Sequence, residues 1–177
     1  MQFVILGLLL GGPLSLYEVH KRFASGISLF YSASFGSLQR ALRTLAADGS
    51  VTVAEAPGDA RGKKLYSVTD RGRTRWRTWM LEPIRAGVDA ETTALAKIFL
   101  LGRLPASDRR TVLDEIGSLA QRQTAGLRRL WDETGDLDAA GERRELLAYQ
   151  RATLDYGLRA HRLMNDWLEE LRDGVGE

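Results

Sequence analysis

Hydrophobic residues in the first fifty positions recur at helical spacing and predict three helices. Residues 3–10 are apolar on every side, which is typical of a helix enclosed by others, and Gly-Gly-Pro at 11–13 ends it. A short amphipathic helix follows Ser15, a residue type that favours helix N-termini. The third helix covers about 35–47 and closes at Asp48-Gly49. The pattern indicates a small helical core at the start of the chain.

The pattern changes its period after residue 50. Residues 51–56 and 65–69 alternate apolar with polar positions, which predicts two strands joined by a flexible tip at 57–63. Another helix begins at Thr69-Asp70 and ends before Pro83. The order helix, helix, turn, helix, strand, charged tip, strand, helix is the layout of a winged helix-turn-helix.

The second half of the chain has a helical pattern throughout. Residues 82–89 contain few large apolar groups, one proline and one glycine, which is typical of a joint. Helices are predicted after it at 91–102, about 108–134 and about 142–172. We therefore predict a mostly α fold, with a winged helix-turn-helix N-terminal domain at residues 1–83 and an all-α C-terminal domain at residues 84–177.

Charge is divided unevenly between these two parts. Eleven basic and six acidic residues precede residue 84, a net charge of +5, whereas the remainder carries fourteen basic and seventeen acidic residues, a net charge of −3. A basic front half joined to a mildly acidic rear half indicates that the front half meets a polyanion.

Polar residues of the third helix are the predicted contacts with that polyanion. An α-helix fits the width of the DNA major groove, so the third helix can enter the groove while the second braces it against the phosphates. Residues at the helix start also lie where backbone N–H groups favour a phosphate. The predicted contacts in this region are Ser34, Ser37, Gln39, Arg40 and Arg43.

The tip between the two strands supplies a second set of predicted contacts. Gly58 and Gly62 loosen this tip, so its cations can follow a phosphate ridge or enter a minor groove. The cations concerned are Arg61, Lys63 and Lys64. Tyr17 on the second helix is a further predicted contact, and its alternative role is packing with an exposed hydroxyl.

Several classes of chemistry are excluded or disfavoured by the composition. The absence of cysteine excludes a disulfide framework, a thiolate metal site and a cysteine nucleophile. Without a glycine-rich phosphate loop after a strand or a histidine-based metal spacing, we expect no enzyme activity, no cofactor and no metal. The first apolar run, about ten residues, is too short to span a bilayer, so we expect a cytoplasmic protein without a membrane partner.

Three stretches of the front half resemble PadR-type transcriptional regulators. They are "ILGLLLGGPLSLYEVHKRF", "SFGSLQRALRTLAADGSVTV" and "GKKLYSVTDRGRTRWRTWM". They hold an apolar first helix with Gly-Pro, the Tyr-Glu of the second helix, a Ser-x-Gly-x-Leu recognition start and a Lys-Lys-x-Tyr-x-x-Thr-x-x-Gly after the wing. "ETTALAKIFLLGRLPASDR" and "LDYGLRAHRLMNDWLEEL" are similar to the long helical C-terminal domain of the larger members.

The resemblance implies a dimeric repressor, joined through its C-terminal helices and released from an operator by a small molecule, with a small aromatic compound as the candidate effector. This chain departs from the family pattern at two places. It has Ser15-Leu16 where the family usually has His-Gly, and Gln39 where the family usually has a tyrosine. The Gln39 amide is able to pair with adenine, so this departure concerns which bases are read.

The helical pattern independently favours a homodimer. The last two helices carry apolar stripes too wide to be covered within one subunit, so a second copy is their natural cover. The lone His161 is interpreted as a core or interface residue. An aromatic set is interpreted as core or dimer seam, with the lining of an effector pocket as the alternative: Trp76, Trp79, Trp131, Tyr149, Tyr156 and Trp167.

We therefore expect a sequence-specific transcriptional regulator that binds double-stranded DNA as a homodimer. Two alternatives stand beside it. One is a helical protein-interaction module whose winged domain no longer reads DNA, motivated by Gln39 and the net charge of only +2. The other is a DNA-organising protein that binds every sequence equally.

Overall fold

The computed structural model describes residues 1–57, 62–135 and 142–174. The chain divides into two compact units, Met1–Val112 and Leu113–Glu177. Within the described residues, the elements in chain order are α1 (Gln2–Leu9), α2 (Leu16–Ala24), a 3₁₀ turn (Ile27–Leu29), α3 (Phe35–Ala47), β1 (Val51–Glu55), β2 (Lys64–Val68), α4 (Asp70–Leu81), α5 (Ala90–Leu100), a second 3₁₀ turn (Leu101–Arg103), α6 (Ala106–Gly135) and α7 (Glu142–Gly174).

Helix α1 lies at the centre of the first unit. Ile5, Leu6 and Leu9 are almost completely buried, which explains why this helix is apolar on every side. Burial of side chains of this size stabilises the folded chain by about 1.5–3 kcal/mol each. Gly7 allows close packing, because a Cβ there would lie 2.6–2.8 Å from the side chains of Leu100 and Trp76.

Three helices of the first unit begin at hydroxyl residues that cap them. Ser15, Ser34 and Thr69 each have extended backbone, and their side chains accept hydrogen bonds from backbone N–H groups in the first turns of α2, α3 and α4. Such caps are each worth about 1 kcal/mol. The helix starts expected at Ser15 and Thr69 are therefore confirmed, and Ser34 caps the third helix.

The two strands form an antiparallel hairpin with Val51 opposite Val68 and Glu55 opposite Lys64. Leu14, in the segment between α1 and α2, forms an isolated antiparallel β-bridge with Tyr66. The Leu14 N–H donates to the Tyr66 carbonyl at 3.1 Å, and the Tyr66 N–H donates to the Leu14 carbonyl at 2.8 Å. The hairpin is therefore tied to the start of α2 through backbone hydrogen bonds.

In the second unit, the remainder of α6 packs antiparallel to α7. The Arg172 guanidinium donates to the Leu113 carbonyl at 3.1 Å, and the Asn165 amide donates to the Thr124 hydroxyl at 3.1 Å. Further along, a Cβ at Gly157 would lie 3.4 Å from the Leu127 side chain. The C-terminal end of α7 therefore lies beside Leu113 of α6, and the middle of α7 lies beside Leu127.

The predicted fold class is confirmed: the protein is mostly α-helical, with a winged helix-turn-helix at its N-terminal end and helices in the rest of the described chain. The compact first unit includes α5 and the start of α6. The functional boundary between residues 83 and 84 stays a prediction.

Candidate nucleic-acid interface

Helix α3 presents an exposed polar side that starts at its cap. The Ser34 hydroxyl accepts a hydrogen bond from the Ser37 backbone N–H at 3.2 Å, and the Ser37 hydroxyl donates to the Ser34 carbonyl at 2.7 Å. Gln39 is half-buried. Arg40 and Arg43 are exposed, and neither forms an ion pair with any residue that the structure describes.

The opposite side of α3 is buried and fixes its orientation. Every apolar residue that the spacing assigned to this side is in the core: Leu38, Ala41, Leu42 and Leu45. Since these side chains recur at intervals of three and four, the arginines between them must point outward. The exposed polar side is therefore a property of the helical pattern.

The C-terminal end of α3 is clamped to α4. Gly49 has φ +74°, a left-handed conformation that ends the helix, and the Ser50 N–H then donates to the Leu45 carbonyl at 2.9 Å. The Arg75 guanidinium donates to the Asp48 carboxylate at 2.5 Å and to the Ser50 hydroxyl at 2.7 Å. These contacts prevent α3 from turning about its own axis.

Asp48 is kept ionised within this clamp. Partial burial of the carboxyl acts to raise its pKa, but hydrogen bonds from Ser50 and from Arg75, together with the arginine charge, outweigh that effect and lower the pKa below its ordinary value. The clamp therefore consists of a charged pair at neutral pH.

Helix α2 begins with a reciprocal capping box. The Glu18 backbone N–H donates to the Ser15 hydroxyl at 3.3 Å, while the Ser15 backbone N–H and hydroxyl donate to Glu18 Oε2 at 2.7 and 2.6 Å. This arrangement leaves Tyr17 68% exposed. Further along the helix, the His20 ring meets the ring of Phe35 edge-on, with the centroids 5.6 Å apart.

The base of the wing carries two adjacent lysines. Lys64 is the first residue of β2 and is exposed. The Lys63 Nζ lies 3.5 Å from Glu18 Oε1, with both side chains 42% exposed, so the wing base is ion-paired to α2. Hydrogen bonds from the Ser15 side chain and backbone, together with the Lys63 charge, lower the pKa of Glu18 to about 2.

These elements surround an open cavity with a volume of about 700 Å³, which we call the α2–wing hollow. It is lined by Ser15, Leu16, Tyr17, Glu18, Lys21, Gln39, Lys63, Lys64 and Tyr66. Four of the predicted contacts are thus brought together there, namely Tyr17, Gln39, Lys63 and Lys64. Ser34, Ser37, Arg40 and Arg43 lie elsewhere on α3 and its cap, and Arg61 lies outside the described residues.

Two charged lining residues, Glu18 and Lys21, were not identified from the sequence as part of this surface. Glu18 had a usable signal, because serine followed three residues later by glutamate is the pattern of a capping box. Lys21 had no comparable signal, since a single lysine near the end of a helix is ordinary on a solvated face. That any residue of this surface contacts DNA stays a prediction.

The aromatic set predicted as core or effector lining is distributed over different environments. Trp76 is buried, whereas Tyr149 and Tyr156 are 69% and 74% exposed. The Arg151 guanidinium lies over the Trp131 ring, 4.4 Å from its centroid. The structure thus assigns only part of this set to a core.

Trp79 lines a separate cavity of about 390 Å³ in the first unit. Its ring stacks on that of Phe3, with centroids 5.0 Å apart and planes 4° from parallel. Tyr31, Asp89 and Thr92 provide polar groups in the same cavity. Burial, with a contribution from the Asp89 charge, raises the pKa of the Tyr31 hydroxyl.

Residues 1–57, 62–135 and 142–174 contain neither a metal-binding cluster nor a membrane-spanning helix. No group of three or more histidine, aspartate or glutamate side chains is placed to hold a metal ion in these segments. None of the helices described has both the length and the apolar character needed to cross a membrane.

The three-helix core, the hairpin and the exposed polar side of α3 define a winged helix-turn-helix protein. Residues 5–78 match the transcriptional regulator PadR-like family, and residues 92–174 match the virulence activator alpha C-terminal family. The chain thus carries a PadR-like domain followed by a region of the virulence activator alpha C-terminal type, so the resemblance to PadR-type regulators seen in the sequence is confirmed.

Relatives of this chain are named as transcriptional regulators. A segment of 112 residues is 32% identical to the negative transcriptional regulator PadR of Bacillus subtilis, covering 61% of this chain and 62% of that protein, less than two thirds of its length. A probable transcriptional regulator of Mycobacterium tuberculosis is 24% identical over 175 residues, which cover 91% of this chain and 89% of the relative. The crystal structure of B. subtilis PadR in complex with operator DNA is similar with a TM-score of 0.45 and 20% identity, over 97% of this chain and 96% of the other.

Proposed function

We propose that the protein is a sequence-specific transcriptional repressor that binds double-stranded DNA as a homodimer on a palindromic operator. The observation that carries the proposal is the exposed polar side of α3 with Arg40 and Arg43, together with the lysines of the wing base, which line one cavity with Gln39. The match to the PadR-like family over residues 5–78 supports the same function. The protein would act as a regulator in the cytoplasm, without an enzyme activity or a cofactor.

In the proposed complex, the N-terminal half of α3 enters the major groove. The Ser34 and Ser37 hydroxyls already hold the helix start, and the Ser34 hydroxyl keeps its own proton to donate to a phosphate. Arg40 and Arg43 have the fork of donors that suits guanine edges and phosphates. Gln39 faces the α2–wing hollow with an amide that suits adenine.

The wing and α2 hold the phosphate backbone on either side of that groove. Lys63 and Lys64 at the wing base supply charge that is independent of sequence, and Arg61 belongs to the same proposed contact set. Tyr17 on α2 has an exposed hydroxyl that can donate to a phosphate oxygen. We therefore assign the contacts that read bases to α3, and the contacts that position the protein on the phosphate backbone to the wing and α2.

The proposed homodimer forms along one side of α7. Residues with intervals of three, four, three, four and three form an exposed strip on this helix, which we call the α7 seam: Leu146, Tyr149, Thr153, Tyr156, Ala160 and Leu163. That alternation is the a and d pattern of a coiled coil. The same seam on a second copy is self-complementary, as two-fold symmetry requires.

Repression and its release are the remaining parts of the proposal. The 32% identical relative is named a negative regulator, which favours repression over activation. A small aromatic effector would bind in the cavity beside Trp79, whose lining combines aromatic side chains with the polar groups of Tyr31 and Asp89. Binding there would release the operator by shifting the protein toward a form with lower DNA affinity.

DNA binding is tested first with the duplex upstream of the protein's own gene and with duplexes selected from a random pool. We expect the wild-type protein to prefer the selected sequence and to lose affinity steeply as salt rises, because bound cations are released. An Arg40→Ala, Arg43→Ala double variant should lose most of that preference. The matched control is Arg128→Ala, Arg129→Ala, which removes the same charge from exposed positions of α6.

Three results would contradict the proposal in different ways. Selective binding that survives in the Arg40, Arg43 double variant removes α3 from base reading. Equal affinity for selected and random duplexes supports the DNA-organising alternative. Failure of the dimeric wild-type protein to bind any duplex at low salt supports the protein-interaction alternative.

The effector is tested by adding small aromatic compounds to the protein–operator complex. A compound that releases the operator should also quench the fluorescence of Trp79, which lines the cavity. Thr92→Phe places a ring in this cavity and should abolish release while operator binding persists. Thr111→Phe, at an exposed position of α6, is the control. Release that is unaffected by Thr92→Phe would place the effector elsewhere.

A further inference from the structure

The α2–wing hollow contains one acidic side chain beside the lysines that the proposed function assigns to phosphate. Glu18 lies among Lys21, Lys63 and Lys64 in the lining of this hollow. A carboxylate at such a place opposes the binding of a polyanion. The attraction of DNA to this surface therefore does not explain why a glutamate lies at position 18.

The Glu18 carboxylate is fixed by α2 and not by the wing. Oε2 accepts both hydrogen bonds from Ser15, whereas Oε1 is the atom that faces Lys63 at 3.5 Å. The capping box thus keeps the carboxylate in place when Lys63 leaves. Its lowered pKa agrees with this geometry, because a carboxyl with these partners stays charged throughout the pH range in which duplex DNA is stable.

Lys63 is restrained differently from the lysine next to it. Its ammonium is paired with Glu18, while Lys64 forms no ion pair with a residue that the structure describes. Both partners of the pair are substantially exposed, so exchange of one oxygen ligand for another is inexpensive. A phosphate oxygen is the ligand that a duplex would offer in the same hollow.

We propose that Glu18 competes with DNA for the wing lysine, so that Lys63 leaves the Glu18 carboxylate for a backbone phosphate when the protein binds a duplex. This inference rests on the proposed DNA-binding function and adds a residue that sets affinity without touching DNA. The competition lowers the sequence-independent part of the affinity. Binding to operators and to bulk DNA is weakened alike, and base selection by α3 is unchanged.

The test uses full-length protein and a fluorescent duplex of random sequence, titrated at several salt concentrations. Glu18→Gln should bind about two- to fivefold more tightly than wild type, the scale of one exposed ion pair. Lys63→Gln should bind more weakly, and its slope of log affinity against log salt should be shallower by about 0.9, the value of one phosphate contact. The double variant should behave like Lys63→Gln alone.

Each comparison has an outcome that overturns the competition. Unchanged or weaker binding by Glu18→Gln would show that the pair positions the wing for DNA. A gain in DNA affinity from Glu18→Gln that persists in the Lys63→Gln background would show that the gain comes from the changed net charge and not from the release of Lys63. An unchanged salt slope for Lys63→Gln would mean that this lysine never reaches a phosphate.

Controls separate this inference from the folding of α2 and from the proposed function itself. Glutamine also serves at the third position of a capping box, so the thermal midpoint of Glu18→Gln should stay close to wild type. Glu82→Gln removes the same charge outside the hollow and should leave affinity unchanged. If Glu18→Gln does not fold, the salt dependence of Lys63→Gln remains as a test, because an unchanged slope would overturn the proposed competition. A wild-type protein that binds no duplex overturns the proposed function, whereas normal wild-type binding with unaltered variants overturns only the competition.

Discussion

At the scale of single residues, the proposed function makes Gln39 the side chain through which this chain should differ from the PadR-type pattern in the bases it reads. It is half-buried on α3 and lines the α2–wing hollow, beside the lysines of the wing base. Replacement by methionine keeps length and flexibility but removes both hydrogen-bonding groups. We expect Gln39→Met to lose about 1–3 kcal/mol of discrimination at one adenine of the operator, with other positions read as before.

The measurement is a set of affinities for operators changed one base pair at a time. Gln150→Met, an exposed substitution on α7, provides the control for the chemistry of the exchange. Loss of affinity that is uniform over all operator positions would assign Gln39 to the phosphate backbone.

Gly72 is the residue at which the packing of α4 tolerates least change. A Cβ at this position would lie 2.1 Å from the Ser50 carbonyl oxygen, and backbone cannot move aside as a flexible side chain can. We expect Gly72→Ala to lower the free energy of unfolding by at least about 2 kcal/mol, through overpacking. Denaturation by urea, followed by circular dichroism, measures this change.

Gly126 is the matched control for Gly72 because both are helical glycines. A Cβ on Gly126 meets nothing within 4 Å, so Gly126→Ala should raise stability by about 0.5–1 kcal/mol. Equal effects of the two substitutions would show that helix propensity, and not contact with Ser50, governs position 72.

The same residues show where prediction from sequence ends. Arg40 and Arg43 could be assigned to an exposed side of α3 because the apolar residues between them recur at helical spacing. The pair of Lys63 with Glu18 joins residues 45 positions apart, and no spacing rule indicates it. Ion pairs depend on how elements pack, which the local pattern does not contain.

At the scale of elements, the clamp between α3 and α4 should make stability depend on pH. The Asp48 pKa is lowered in the folded protein, so its pairing with Arg75 stabilises the fold fully above the pKa of the unfolded chain. This contribution should be lost as pH falls below about 4 and through the folded pKa. We expect Asp48→Asn to cost about 1 kcal/mol or less at pH 7, and progressively less in acid.

Unfolding free energies of wild type and Asp48→Asn at a series of pH values check this expectation. Asp132→Asn, at an exposed position of α6, gives the effect of removing an acid that has no place in the clamp. A difference between wild type and Asp48→Asn that stays constant from neutral pH into acid would mean that the charge of Asp48 is not what holds α3.

Elements were predicted closely where local chemistry decides them. The structure has α3 at Phe35–Ala47, as expected from its apolar spacing, and α4 begins at Asp70 after the Thr69 cap. The bridge between Leu14 and Tyr66 had no sequence signal, because a single pair of residues has no period. It matters for the site, since it ties the hairpin to α2 and so places the wing base beside Glu18.

At the scale of the whole molecule, the α7 seam is the feature that one chain leaves incomplete. Tyr149, Tyr156 and Leu163 are each about 70% exposed although they follow one another every seven residues. Their spacing of seven residues places these three on one strip of a helix, and all three are exposed in the structure. The surface that covers the α7 seam could not be predicted in the same way, because it belongs to a second copy and the hydrophobic pattern of one chain does not identify it.

The seam makes a specific prediction about assembly, because α7 has exposed alanines both within the seam and outside it. Ala160 lies within the seam, and Ala148 lies outside it. A glutamate at position 160 would put a charge from each copy into the interface, where burial without a partner is unfavourable. We expect Ala160→Glu to weaken dimerisation at least about tenfold, the effect of roughly 1.4 kcal/mol, and Ala148→Glu to leave it unchanged.

Sedimentation equilibrium of both variants over a range of protein concentrations measures the dimerisation constant directly. Operator affinity should fall in parallel for Ala160→Glu, since a palindromic site is held by two recognition helices and each half-site alone binds weakly. Affinity for a single half-site should stay at the wild-type value, because α3 and the wing are untouched. A dimer of Ala160→Glu as stable as the wild-type dimer would place the two-fold interface on another surface and remove the α7 seam from the assembly.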